Sequence, residues 1–334
     1  MKSIAFIALL FLSSVIHGQS LNPEDYGYRH FRMVYLGDTV DILIKSKNGE
    51  ELKQKPLFLF CQRSLPILLI IPHVDSSGKV ISYNPFVFNT DILTGDFHLA
   101  IISKPFIPLV ADIKSLNNNA TFSDSTGNFP KEYIERNLLN YYVKRNIAVL
   151  KYLRNQLWVS KNMLVISGHS EGNSIAAKLA AGYPKITHVI YSGGNPMGRI
   201  MTLIQRSRQA ETDTSKLAEN DFVYWREVVS SPNDMSSVGD TNKGMYEFSE
   251  PPFQYLMKLK IPVLISYGTK DAGAPYNDYL QVACIRRQKI NFVFKAYIGT
   301  EHNYFPILPD GKIDYNTFNW DKVAQDWRVW LTGR

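Results

Sequence analysis

Ser170 lies in Gly168-His169-Ser170-Glu171-Gly172. The apolar run Met163-Leu164-Val165-Ile166 precedes it, and Ile175, Ala176, Leu179 and Ala180 recur after it at helical spacing. An apolar run of that length fits a strand buried on both faces, and the later period fits a helix. A serine at a sharp strand-to-helix turn has its hydroxyl held clear of the sheet, at the start of a helix whose dipole favours negative charge. The flanking glycines keep side chains out of the crowded turn. Taken alone, the five residues also fit a plain Gly-rich turn. The strand before and the helix after make them read as a nucleophile elbow.

A serine hydroxyl is a weak nucleophile at neutral pH. It needs a base to take its proton and a third group to hold that base in one tautomer. After an elbow serine these follow in the order acid, then histidine. Of the histidines, His17, His30, His73, His98, His169, His188 and His302, only His302 follows every candidate acid beyond Ser170. It stands in Gly299-Thr300-Glu301-His302-Asn303, just past a strand ending at Tyr297, on a loop at the C-terminal edge of the sheet. The leading acid is Asp271, in Tyr267-Gly268-Thr269-Lys270-Asp271-Ala272, a few residues beyond another strand. Asp278 is the runner-up, on the following helix. Glu301 is a weaker third, because neighbours in sequence seldom face each other. His169 reads as structural, its side chain pointing away from the serine's path. His98 and His188 read as core or sheet-face residues.

Acyl transfer also needs preorganised donors for the oxyanion, each contributing about 2.7–4 kcal/mol. One is the backbone N–H of Glu171, the residue after the nucleophile. The other is expected from Gln62 or Arg63, in the loop after Pro56–Phe60 (PLFLF). The Glu171 side chain either reads a substrate amine or is merely solvated or bonded to its neighbours, and the second is the expectation.

These residues need a frame of strands and helices. Arg29–Leu36 and Thr39–Lys45 read as a strand pair joined at Gly37-Asp38, and Pro56–Phe60 as a central strand. Leu68–Ile71 is placed in a connection outside the sheet. Further strands are expected at Phe97–Ser103, Met163–Ile166, Thr187–Tyr191, Ile261–Tyr267 and Asn291–Tyr297. Helices are expected at Lys131–Trp158, after the elbow, near Tyr276–Gln288 and at Asn319–Leu331. An aromatic-rich, partly helical insertion runs from about Pro196 to Lys260. Alternating strands and helices argue an α/β fold with a mostly parallel sheet flanked by helices, the first strand pair forming an antiparallel edge.

The chain has 334 residues, room for one large domain. Its net charge of +7 is scattered, with no basic run, so a nucleic-acid surface is not expected. Residues 1–19 combine Lys2, an apolar stretch Ile4–Leu12 and a small, polar exit, the pattern of a cleaved export signal too short to anchor in a membrane. No cysteine stands near that cut, so a lipid anchor is not expected either. The expected location is secreted or periplasmic. The two cysteines, Cys61 and Cys284, are expected as buried free thiols. Asn119-Ala120-Thr121 matches a glycosylation sequon.

At Gly168–Gly172, Tyr267–Asp271 and Glu301–Asn303 the chain resembles the α/β-hydrolase superfamily of secreted serine hydrolases, nearest to dienelactone-hydrolase-like and prolyl-oligopeptidase-like members. The resemblance runs from about Pro56 to the C-terminus. It implies an eight-stranded sheet, a lid inserted after the strand that follows the elbow helix, at about 196–260, and neither metal nor organic cofactor. One departure stands out: relatives carry glycine in the oxyanion loop, where this chain has Cys61-Gln62-Arg63-Ser64.

Three functions fit. The first is hydrolysis of a carboxylic ester through Ser170, His302 and Asp271 and an acyl-enzyme. The second is a peptidase of the aminopeptidase type on short peptides, which a hydrogen-bond donor or an acidic pair reading the peptide terminus would favour; Glu171 and Glu301 are the visible candidates. The third is a non-catalytic binding protein on a hydrolase scaffold.

Overall fold

Period-two alternation of large apolar side chains divides the core in two. In β3 (Lys55–Cys61) and β7 (Val159–His169), Leu57, Leu59, Leu164 and Ile166 face one apolar cluster, while Phe58, Phe60 and Val165 face another. β3 and the second half of β7, from Leu164, are therefore buried on two sides, which explains their apolar runs, whereas Ser160–Asn162 are polar and at least partly exposed. Each such side chain contributes about 1.5–3 kcal/mol relative to exposure. The computed structural model describes residues 20–333 other than 76, 78, 79, 84, 118 and 238. The expected export signal at residues 1–19 lies outside the described residues.

The remaining strands are β1 (Arg29–Tyr35), β2 (Asp38–Lys45), β4 (Ile71–Val74), β5 (Val80–Tyr83), β6 (His98–Ile102), β8 (His188–Ser192), β9 (Val263–Gly268) and β10 (Phe292–Tyr297). Eight of them form one sheet in the order β1-β2-β6-β3-β7-β8-β9-β10. Pairing is antiparallel from β1 to β2 and from β2 to β6, and parallel from β6 through to β10. The β1–β2 connection holds Leu36 and Gly37 at φ of 54° and 87°. Two positive-φ residues in succession are what a tight type I′ hairpin demands.

The helices are α1 (Asp91–Thr94), α2 (Lys131–Arg136), α3 (Leu139–Arg154), α4 (Gly172–Gly182), α5 (Arg199–Ala210), α6 (Leu217–Ser230), α7 (Asn242–Phe248), α8 (Phe253–Leu256), α9 (Ala274–Arg286) and α10 (Trp320–Thr332). Leu150 and Leu153 of α3 and Ile175 and Leu179 of α4 cover one face of the sheet. Val323 and Trp327 of α10 cover the other.

The single helix expected over 131–158 is two. Asn137 leaves helical geometry at ψ 57°, Leu138 is extended, and the Asn137 side chain accepts the Tyr142 hydroxyl at 3.0 Å. Leu68–Ile70 do lie outside the main sheet, but Ile71 opens a small antiparallel hairpin, β4–β5. Four helices, α5 to α8, lie between β8 and β9, over the expected insertion. Ile200, Ile204 and Ala218 of α5 and α6 form their own apolar cluster, whereas Phe248 and Leu256 of α7 and α8 join the main core. Cys61 and Cys284 are free and buried. Among the described residues no helix is long and apolar enough to cross a membrane, and no group of three or more His, Cys, Asp or Glu is placed to hold a metal.

Candidate active site

β7 ends at His169 and α4 starts at Gly172, so the chain reverses within two residues. Ser170 meets that demand with φ +57°, a left-handed conformation uncommon for a residue with a Cβ. Such strain costs about 1–3 kcal/mol and persists only where the surroundings over-determine it. Here the Ser170 N–H donates to Ser192 O at 3.1 Å, and Ser170 O accepts from Asn173 N–H at 3.1 Å. A Cβ at Gly168 would collide with the Gly172 backbone, and one at Gly172 with the carbonyls of Cys61 and Gln62. Only glycine at 172 lets the start of α4 seat on the loop after β3.

The loops after β9 and β10 meet beside this turn. A Cβ at Gly268 would strike the carbonyls of Thr300 and Glu301, and Lys270 N–H donates to Thr300 O at 2.9 Å. Their contact brings Asp271 to His302: Asp271 Oδ2 lies 2.8 Å from His302 Nδ1, and Asp271 Oδ1 accepts the Gly273 N–H at 3.2 Å. Asp271 is 4% exposed and His302 22%, so the carboxylate sits behind the imidazole. A carboxylate on Nδ1 places the ring proton there and leaves Nε2 free to accept. Ser170, Asp271 and His302 line one cavity of about 280 Å³. The Ser170 hydroxyl forms no hydrogen bond to His302 here; catalytic contacts often close only around substrate.

The other candidates lie elsewhere. Asp278 accepts the Tyr267 hydroxyl, and Glu301 accepts the backbone N–H groups of Asn303 and Phe305 at 2.7 and 3.1 Å. His98 is held between Ser46 Oγ and Lys53 O, and His188 bonds Thr187 Oγ1. Gln62 turns its side-chain amide inward, onto Ile102 O, and Arg63 is exposed; the loop residues lining the cavity are Ser64 and Leu65.

The fold is similar to that of solved structures. Est1E from Butyrivibrio proteoclasticus superposes with a TM-score of 0.52 at 14% identity, over 91% of this chain and 98% of that one. A putative dipeptidyl aminopeptidase IV from Bacteroides ovatus gives 0.54 at 10% identity, over 92% of this chain and 36% of that one. Pyrococcus horikoshii acylaminoacyl peptidase gives 0.50 at 10%, over 91% and 40%. The chain thus spans less than half the length of the two peptidases. No family model matches the sequence, and no curated protein is significantly similar to it. The chain has the α/β-hydrolase fold.

On that α/β-hydrolase scaffold two features escape the sequence. The first is His169. Its Nδ1 lies 3.0 Å from Ser192 Oγ, and Ser192 Oγ lies 2.6 Å from the Tyr304 hydroxyl, which donates to Ser266 O at 3.0 Å. Its ring lies 4.9 Å from that of His302, so it packs directly against that side chain. Burial holds His169 well below the usual histidine range, and the neighbouring His302 adds to the effect. A neutral ring there adds no charge to compete with a proton on His302.

The second is a buried charge cluster under the α/β-hydrolase elbow. The Glu171 carboxylate, 6% exposed, pairs with Arg199 Nη2 and lies 3.6 Å from Lys104 Nζ. Arg199 also reaches Asp240 at 3.2 Å and lies over the Phe248 ring. Burial lowers the Lys104 ammonium to about 7, with repulsion from Arg145 and Arg199 adding to it. In sequence, Lys104 and Arg199 lie far from Ser170 and from each other. Nothing in the spacing links them.

Proposed function

We propose that the chain is a serine hydrolase that cleaves carboxylic esters through an acyl-enzyme. The observation that carries this reading is the 2.8 Å Asp271–His302 contact at a cavity that Ser170 also lines, with Ser170 at the positive φ of a strand-to-helix turn. In this reading His302 Nε2 takes the Ser170 proton as Oγ attacks the ester carbonyl. The carbonyl oxygen becomes an oxyanion, held by the Glu171 N–H and a backbone N–H of the loop after β3, which reaches the cavity at Ser64 and Leu65. As the C–O bond to the alcohol breaks, His302 returns the proton to the departing oxygen. Water then repeats the sequence and releases the acid. Asp271 holds the imidazole in the required tautomer and stabilises its charged form.

Two observations favour an ester over a peptide amino terminus. Glu171 already faces two cations, Arg199 and Lys104, and Glu301 is spent on two backbone N–H groups. Neither carboxylate is left to pair a substrate ammonium. Est1E, an esterase of the same fold, also occurs with ferulic acid bound. In this reading α5 and α6 act as a lid, and residues 1–19 direct the enzyme out of the cytoplasm as a secreted or periplasmic protein. No metal or organic cofactor enters the chemistry.

The test is a panel of short 4-nitrophenyl esters set against aminoacyl 4-nitroanilides, with Ser170→Ala alongside. Ester turnover that vanishes in the variant supports the proposal. Turnover of the anilides alone makes the chain a peptidase instead. No turnover of either by folded protein points to a binding role.

A further inference from the structure

In the proposed reaction the residue that donates an N–H to the oxyanion also carries a carboxylate. Glu171 follows Ser170, and its charge is tethered to that nitrogen by its own short side chain. A negative charge so close to a developing oxyanion raises the energy of the transition state, and the low dielectric of a buried site enlarges the effect. The Glu171 carboxylate is buried, so water does little to relieve it. Two cations do: Lys104, just beyond β6, and Arg199, the first residue of α5.

The two cations are not equivalent. Burial lowers the Lys104 ammonium to about 7, so most of its charge is gone at pH 8. The Arg199 guanidinium is a permanent charge. It also reaches Asp240, but that carboxylate is half-exposed, and an exposed pair is weak. The place of Arg199 is set by more than its ion pairs. The chain enters α5 through Gly198 at φ +91°, where a Cβ would strike the Ser249 backbone, and the Ile200 N–H donates to Ser249 Oγ at 3.1 Å. Ile200 and Ile204 then pack in the small apolar cluster with Ala218. These contacts hold the start of the helix against the elbow when the guanidinium is changed.

We propose that Arg199 cancels the charge of Glu171 and so keeps the oxyanion free of an opposing field, which makes the inserted block between β8 and β9 a source of transition-state stabilisation as well as a wall of the cavity. Arg199 acts through Glu171, as a positioning residue, and touches no reacting atom. This rests on the hydrolase reading and adds a residue to its machinery.

The test uses two variants that break the same ion pair but change the field at the oxyanion in opposite directions. Both are assayed with a 4-nitrophenyl ester at pH 8, well below their unfolding temperatures. Arg199→Met should lower kcat about 10-fold, less than the loss of a direct donor, with KM changed less than about threefold. Glu171→Gln removes the opposing charge and should raise kcat about two- to threefold, although it weakens the fold. Arg199→Lys keeps the charge and should retain most of the parent's kcat. Adding Glu171→Gln to Arg199→Met should restore most of what the arginine variant loses. A merely structural pair predicts that both single variants lower kcat. A Glu171→Gln protein that fails to exceed the parent's kcat therefore overturns the proposal, and it decides the matter alone if Arg199→Met does not fold. A loss in Arg199→Met confined to KM also overturns it, since the arginine would then be a substrate contact. Both results leave the hydrolase reading standing. No turnover of any ester together with no covalent labelling of Ser170 overturns both.

Discussion

Asp271 and His302, 31 residues apart, are joined by a hydrogen bond of 2.8 Å from Nδ1 to Oδ2, with the carboxylate buried behind the ring. This bond orients the base that the proposed reaction depends on. Asp271→Asn keeps the shape but offers an amide in place of the carboxylate, which favours the wrong tautomer. Ester kcat is expected to fall about 10⁴-fold with little change in KM, the loss seen for the equivalent change in a Ser-His-Asp protease. Steady-state kinetics on a 4-nitrophenyl ester measure it; a loss under tenfold would detach Asp271 from the mechanism.

Asp278, the other acid after β9, bonds Tyr267 instead. Asp278→Asn should leave kcat/KM within about threefold of the parent. A loss comparable to that of Asp271→Asn would mean that the acid had been misassigned.

Glu171 is the counter-charge for the buried Lys104 and the partly buried Arg199. Glu171→Gln removes the carboxylate facing Lys104 and leaves Arg199 with Asp240 alone, and removing one partner of a buried pair costs about 3–5 kcal/mol. Burial pushes the Lys104 ammonium down to about 7, so its part of the penalty is expected below that and fades above it. Urea unfolding at pH 6 and pH 9 should therefore show a larger destabilisation at pH 6. An equal effect at both would remove Lys104 from the cluster's energetics.

His169 is held neutral by burial. The unfolded chain takes up a proton near pH 6.5 that the folded chain refuses, so its linked stability is lost as pH falls through that region. The slope approaches about 1.4 kcal/mol per pH unit. In His169→Asn, which preserves a polar partner for Ser192, this loss should disappear. Unfolding free energies of the two proteins should converge toward low pH relative to their separation at pH 8. Parallel profiles would show that His169 titrates normally.

Much of this site is written in local patterns. The Ser170 turn carries its own strand and helix signals, and chain order singles out His302 and ranks Asp271 first. The sheet is legible for the same reason: strands buried on both faces need unbroken apolar runs such as Leu57–Phe60. What stays hidden depends on tertiary contact. The helix break at Asn137, where the side chain accepts the Tyr142 hydroxyl, falls in a stretch whose propensity and apolar stripe continue through it. The pairing of Glu171 with Arg199 and Lys104 joins three segments with no shared spacing. The packing of His169 on His302 arises because two separate loops converge on the same sheet edge.

The most direct test of the account is covalent labelling with a fluorophosphonate, read by peptide mass spectrometry on the parent and on Ser170→Ala. The proposed mechanism predicts one adduct, on Ser170, absent from the variant and strongly reduced in His302→Ala. A folded parent protein that takes no label, or takes it at another serine, would contradict the proposal that Ser170 is an activated nucleophile.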